Sequence, residues 1–489
     1  MTSTGCCPVA RRMRGAALLL LCLLCTGGCA VGPDFVRPQT AVPDAWIGVT
    51  TMPTTRPSMV EADLQRWWAA FGDAKLTSLI EQAFGSNLDL RIATSRIRQA
   101  RASRGIAVSG LGPTVDASGS FHRSQASSGG SDTKSPTVNN YQAGFDAGWE
   151  IDIFGGVRRE IEAADAEVQA SVENRRDVLV TLAAEVARNY VELRTYQQRL
   201  GIARKNLEAQ KRSAEWTRRR FEGGFVSGLG VANADALVAT TEAQIPLLES
   251  SARQTIYTLS VLLDREPGAL LSELSEAEGI PAAPPAVPVG VPSELLRRRP
   301  DIRLAEANVH AATAQVGVAT ADLFPRITIN ASVGWSTTRP ADFFDPLSRF
   351  WSFGPSVTWN LFQSGRTLSN IEVQKALQEQ SILSYRKAVL TAIQEVENAL
   401  IASAKEQEHR RSLQAAVAAH RKAADLATQL YTEGHTDFLN VLSAQRSLYA
   451  SEDALAQSTQ AMAVELIALY KALGGGWEEV QAVAGGQER

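Results

Sequence analysis

The sequence predicts a mixed α/β membrane protein built by internal duplication. Each chain gives four strands to a shared β-barrel and long helices to an extended bundle. Three observations predict this. A pattern returns after about two hundred residues, four short segments alternate strictly between apolar and polar residues, and two helical runs are far longer than a globular core holds.

The chain has 489 residues, and its five cysteines all fall at the start: Cys6, Cys7, Cys22, Cys25 and Cys29. Arg11, Arg12 and Arg14 precede the apolar run GAALLLLCLLC (15–25), and the small residues Thr26, Gly27 and Gly28 lead to Cys29. A basic start, an apolar centre and a small-residue exit form an export signal, here 1–28, and the run falls short of the ~20 residues of a spanning helix. A cysteine at this place resembles a bacterial lipoprotein site, with Cys29 as the acylated first residue, although Thr26 stands where that pattern usually has an aliphatic residue. Ala30 in place of Asp then favours the outer membrane.

The repeat comes next. Asp89-Leu90-Arg91-Ile92-Ala93 returns as Asp301-Ile302-Arg303-Leu304-Ala305 at an offset of 212, together with Ala102, Gly105 and Pro113 as Ala314, Gly317 and Pro325. Trp149, Glu185, Gly224, Leu229, Val231 and Ala234 return as Trp359, Glu395, Gly434, Leu439, Val441 and Ala444 at an offset of 210. Pro281, Pro284, Pro285, Pro288 and Pro292 mark an extended linker between the copies. The expected organisation is a lipidated extended segment (29–66), a first repeat (67–280), a linker (281–292), a second repeat (293–476) and a tail (477–489).

Each copy has a very long helical run. Arg366 to Glu433 contains neither Gly nor Pro, and Val157 to Glu222 contains only Gly201. At ~1.5 Å per residue each spans about 100 Å. Ile382, Val389, Ile393, Val396 and Leu400 repeat with coiled-coil-like spacing. Two shorter runs, His435–Leu473 and Asp301–Phe324, are together nearly as long as the long one, so two short helices set end to end match one long helix. Gly223, Gly224 and Gly434 then fall at hairpin tips, where Gly supplies a left-handed turn.

Between the helical runs lie the alternating segments, near 113–123, 141–153, 325–335 and 352–362. Ile327, Ile329, Ala331, Val333 and Trp335 alternate with Thr328, Asn330, Ser332 and Gly334, for example. A half-buried soluble sheet alternates in the same way. Small polar residues on one side, aromatics crowding the strand ends (Trp335, Phe343, Phe344, Trp351, Trp359, Phe362) and long polar connections favour a membrane barrel instead. Four strands cannot close, and an open edge in lipid leaves backbone groups unsatisfied. Two copies give eight strands and a filled barrel, whereas three give twelve and room for a channel.

Composition adds exclusions. A formal net charge of −3 with 21% charged and 45% apolar residues is ordinary for a folded chain and gives no basic stripe for nucleic acid. Cysteine disulfides and cysteine zinc sites lack ligands. Glu306 and His310 lie four apart on one helical face, where a pair of this kind is usually a surface contact rather than a metal or catalytic site. The five histidines (122, 310, 409, 420, 435) do not cluster. No glycine-rich loop leads from a strand into a helix, so no cofactor and no enzyme activity are expected. Arg218–Arg220 and Arg297–Arg299 read as charged helix ends.

The stretches VGPDFVRP (31–38), WWAAFGDAKLTSLI (67–80), WEIDIFGGVRR (149–159), EVARNYVELR (185–194), YTEGHTDFLNVLSAQRSLY (431–449) and LYKALGGGW (469–477) together resemble TolC-like outer-membrane efflux proteins of the lipidated OprM type. The resemblance covers nearly the whole chain after residue 28. It implies a trimeric 12-stranded outer-membrane β-barrel, continuous with a long periplasmic α-helical barrel, that serves as the exit duct of a tripartite pump for small molecules such as drugs. It also implies a periplasmic adaptor and an inner-membrane pump of the resistance-nodulation-division type as partners. In that family the periplasmic hairpin tips contact the adaptor and gate the tunnel. The matching positions are Gly223, Gly224, Gly228 and Gly434 at the tips, with Asp437, Asn440, Ser443 and Arg446 as gate candidates. The family's acidic ring is not carried over, because those positions hold Asn440 and Ser443. Two alternatives stay open: the exit duct of a type I protein-secretion system, and a coiled-coil surface protein, which leaves the duplicated strand pairs unexplained.

Overall fold

The computed structural model describes residues 30–47, 64–127, 135–282 and 292–478. The export signal, Cys29, most of the proline-rich linker and the end of the tail lie outside the described residues.

The duplication is written into element lengths. In the first copy, helix α1 (Ala74–Ser86) and helix α2 (Leu88–Ser109) precede strands β1 (Thr114–Gln125) and β2 (Thr137–Ile151), then helices α3 (Gly156–Glu222) and α4 (Gly228–Leu262). In the second copy, α5 (Pro300–Ala321) precedes β3 (Arg326–Thr337) and β4 (Arg349–Thr358), then α6 (Arg366–Glu433) and α7 (Phe438–Ala472). The paired helices have 22 and 22, 67 and 68, and 35 and 35 residues. Helix α3 runs through Gly201 without a break. Short helices at Leu271–Leu274 and Pro292–Arg298 flank the linker.

Strand bounds differ from the alternating segments. β2 begins at Thr137 and β4 ends at Thr358, although alternation continues to Phe362. Just beyond the end of β4, the Trp359 indole N–H donates to the Leu323 carbonyl at 3.0 Å. Its repeat partner Trp149 donates to the Leu111 carbonyl at 2.9 Å.

The compact units are not the sequence repeats. One comprises Met1–Gln39, Arg96–Ser171 and Leu304–Tyr385, the other Thr40–Ser95, Val172–Arg303 and Arg386–Arg489, so each draws on both copies. In the first unit the strands form one antiparallel sheet in the order β1-β2-β3-β4. The helices follow the same order. Arg104 of α2 pairs with Asp165 of α3, Glu162 of α3 meets His310 of α5 at 3.0 Å, and Gln378 of α6 donates to Thr313 of α5 at 2.9 Å.

The second unit holds the main apolar core. Trp67, Trp68, Phe71, Leu76 and Ile80 pack with Val186, Tyr190, Val396, Leu400, Leu466 and Tyr470, and Trp67 stacks on Tyr470 with centroids 5.2 Å apart. Each such side chain contributes about 1.5–3 kcal/mol by leaving water. A smaller core of Ala214, Ala234, Leu237, Tyr431, Phe438 and Val441 joins the two hairpins near their tips.

The short helices are joined by single side chains. Asn87 closes α1, accepts from the Asp89 and Leu90 amides at 2.9 and 3.1 Å to start α2, and donates to the Leu262 carbonyl at the end of α4 at 2.9 Å. Arg299, its counterpart at offset 212, donates to the Ala472 carbonyl at the end of α7 at 2.8 Å and pairs with Asp301 and Glu395, both at 2.7 Å. Each satisfies a carbonyl left open by a helix C-terminus.

Candidate functional site

Two regions carry the predicted functional residues. The first is the sheet. Alternation puts Val115, Phe145, Trp149, Val333, Phe353 and Val357 on one face, all exposed in the single chain. The other face is polar and laid in cross-strand rows. Asp116, Asp146, Ser332 and Ser352 form one row, with Ser118 donating to Asp146 at 3.0 Å and the Ser332 and Ser352 hydroxyls 2.7 Å apart. An exposed apolar face backed by a polar one suits a wall between lipid and water. No helix of the described residues is long and apolar enough to cross a membrane. Among the described residues, no strand lies beside the outer edges of β1 and β4.

The second region is the pair of hairpin tips. Both turns use the same hydrogen bonds. The Gly224 amide donates to the Phe221 carbonyl at 2.9 Å and the Phe225 amide to the Arg220 carbonyl at 2.8 Å. The Gly434 amide donates to Tyr431 at 3.1 Å and the His435 amide to Leu430 at 2.8 Å. Gly224 and Gly434 have φ of 77° and 83°, the left-handed conformation this motif requires. Gly223 keeps an ordinary φ but lies under the Phe225 ring, and Gly228 opens α4. Arg220 ties the tips together. Its guanidinium donates to the Tyr431 carbonyl at 2.6 Å and lies 4.7 Å over the Tyr431 ring.

The gate candidates are exposed, and the Asn440 amide donates to the Asp437 carbonyl at 3.2 Å. Asp437 occupies the N-cap position of α7 without a side-chain capping bond, and Asn440 donates to Thr436 at 2.8 Å. Ser443 and Arg446 fall on the exposed side of α7, opposite Phe438, Val441 and Gln445. Sequence reasoning missed the apolar character of the first tip. Phe225 is 76% exposed and Leu229 66%, with Trp216 and Phe221 exposed beside them. The available signal was the pair Phe225 and Leu229, four apart across a glycine turn. The second copy has His435 and Leu439 there.

Glu306 and His310 join separate contacts. Arg37 pairs with Glu306 at 2.6 Å, while His310 pairs with Glu162 and stacks on Phe35 with centroids 4.4 Å apart. Arg37 and Phe35 belong to a strap, residues 30–37. The Val31 amide donates to the Phe154 carbonyl at 3.0 Å, and buried Arg159 pairs with Asp34 at 2.6 Å and Glu162 at 2.7 Å. Burial alone raises the Glu162 pKa, but hydrogen bonds from Arg159 and His310 outweigh it and hold the carboxyl below its usual range. Among the described residues no group of three His, Cys, Asp or Glu is placed to hold a metal ion.

A family model described as outer membrane efflux protein matches residues 79–264 and 291–475, one stretch in each copy. The chain is 34% identical to the pyoverdine export outer membrane protein OpmQ of Pseudomonas aeruginosa, over 95% of this chain and 98% of that protein. It is 32% identical to nodulation protein T of Rhizobium leguminosarum bv. trifolii, over 94% and 96%. Among solved structures, the outer-membrane channel OprN superposes with a TM-score of 0.85 at 37% identity, covering 92% of this chain and all of that one.

Proposed function

This chain belongs to the outer membrane efflux protein family and is an outer-membrane efflux channel, and from that premise we propose that three copies close one barrel and export small molecules. The observation that carries the number is the sheet. Its four strands leave both edges open beside an exposed apolar face, and twelve strands are the smallest closed set from identical chains that leaves a lumen. Small-molecule cargo follows the relative named for export of pyoverdine. A lipid on Cys29 adds an anchor next to the strap, and the barrel itself holds the protein in the membrane.

The hairpin tips meet a periplasmic adaptor, which connects the duct to an inner-membrane pump of the resistance-nodulation-division type. Phe225 and Leu229 supply the apolar contact, and Asp437, Asn440, Ser443 and Arg446 line the gate.

Protein extracted from outer membranes is expected to be a trimer and to conduct ions across planar bilayers; a monomer without conductance refutes the proposal. The double variant Phe225→Ser, Leu229→Ser should keep trimer and conductance. It should weaken adaptor binding about tenfold or more, read by surface plasmon resonance against the periplasmic adaptor.

A further inference from the structure

The sheet meets the helices at one end and its loops at the other. Helices α2 and α5 run into β1 and β3, while β2 and β4 run into α3 and α6. The helices extend into the periplasm, so the loop end faces the outside. On the apolar face of the sheet, the described strand residues carry two charged side chains. Both are arginines, Arg123 on β1 and Arg349 on β4, and both sit at the loop end. The carboxylates Asp116, Asp146 and Glu150 lie on the opposite face. At the helix end the apolar face is uncharged, with Val115, Ile151, Ile327 and Val357. A guanidinium beside hydrocarbon is unfavourable unless it reaches an anion or water. Both arginines are exposed, and neither has an ion-pair partner among the described residues.

Arg349 stands at the rim of an apolar ledge. It pairs across the ladder with Trp335, and Trp351 pairs with Val333 one row nearer the helices, about 7 Å away. The loop beyond is tied in place. The Asp345 carboxylate accepts from the Leu347 amide at 2.9 Å, and the Ser348 hydroxyl donates to the Asp342 carbonyl at 2.7 Å. Phe344 is held edge-on to Trp335 with centroids 6.0 Å apart. In this fixed loop Leu347 is 94% exposed and Phe344 78%, beside Trp351 at 79%. Arg339 adds a third exposed cation to the loop, alongside Asp342 and Asp345.

We propose that the loop end of the apolar face binds the lipid A part of lipopolysaccharide, the phosphorylated glycolipid of the outer leaflet. Acyl chains lie on Trp335, Phe344, Leu347 and Trp351, and Arg349 and Arg123 each take a phosphate. Charge and place select this partner. The planar guanidinium fork matches a phosphate bidentately. Phospholipids of the inner leaflet meet the uncharged helix end of the same face. This inference rests on the outer-membrane barrel proposed above and does not depend on how many copies close it.

The test uses the full-length protein, purified from outer membranes and stripped of lipid in detergent. Binding of bisphosphorylated lipid A is read by native mass spectrometry beside two probes, dephosphorylated lipid A and phosphatidylglycerol. The protein should retain bisphosphorylated lipid A about tenfold or more tightly than either probe. The double variant Arg123→Gln, Arg349→Gln should lose that preference, Arg349→Lys with Arg123 intact should keep part of it, and Leu347→Ser should weaken all three lipids alike. Conductance in phospholipid bilayers should be unchanged in each variant. Equal retention of phosphatidylglycerol, or an undiminished preference in the double variant, overturns the lipid A surface and leaves the channel standing. Absence of conductance in the unsubstituted protein, measured without lipid A, refutes the channel itself.

Discussion

The two repeats share one skeleton and differ in what surrounds it. Helices α3 and α6 differ by one residue in length, and α4 and α7 are equal. Yet in the first unit α3 is enclosed by α2 and α5, whereas α6 has α5 on one side and an exposed face on the other. The same pattern of residues thus serves as interior in one copy and as surface in the other. Duplication supplies a repeating wall, and the ends of the wall are left for another chain to meet.

The joints sharpen this comparison most. Asn87 and Arg299 hold equivalent helix ends with different chemistry, an amide in one copy and a buried cation between two carboxylates in the other. Arg299→Ala should destabilise by about 3 kcal/mol, since Asp301, Glu395 and the Ala472 carbonyl all lose a partner. Asn87→Ala should cost about 1 kcal/mol, as for a lost cap. Urea unfolding of the solubilised protein followed by tryptophan fluorescence reads both, and equal losses would mean that the copies are energetically alike at this point.

The tips predict a match instead of a contrast. Gly224→Ala and Gly434→Ala each force a side chain into a left-handed turn, and each should cost about 1 kcal/mol. Hydrogen exchange at the Phe225 and His435 amides should rise by similar factors. A large difference would show that the surrounding side chains, not the turn, govern one of them.

The smallest effect concerns the strap, which has no counterpart among the described residues of the second copy. The folded Glu162 pKa is lowered, so its contribution is full at neutral pH and fades as pH falls from the ordinary carboxylate range through the lowered folded value. Proteolytic release of residues 30–37 should therefore increase below about pH 4, and Glu162→Gln should flatten that dependence. Unchanged protection at acid pH would place the holding force in Phe35 and Arg37 instead.

Much of the fold was legible because its signals are local. Alternation, glycine turns and proline-free runs each report on neighbours a few residues away, and the offsets 210 and 212 align the copies. The joints were not legible. Nothing near Arg299 announces that its guanidinium reaches Ala472, and an arginine run reads equally well as a solvated helix end. The β4 boundary was misplaced because Trp359 and Leu361 keep the alternating rhythm beyond the last ladder pair, Arg326 with Thr358. At the candidate site, spacing found the turns at Gly224 and Gly434. The exposure of Phe225 and Leu229 depends on which helix faces are covered, and a linear pattern does not record that.

The joints have a mechanical consequence. Helices α3 and α6 are unbroken beams, so bending either one strains a ladder of backbone hydrogen bonds along its length. Helices α4 and α7 instead stop at Asn87 and Arg299, where one side chain bridges to the next helix. Each is a lever seated on a pivot. A swing of its free end turns about that pivot, and it also has to remake the packing of Ala234, Leu237, Phe438 and Val441 against the long helices near the tips.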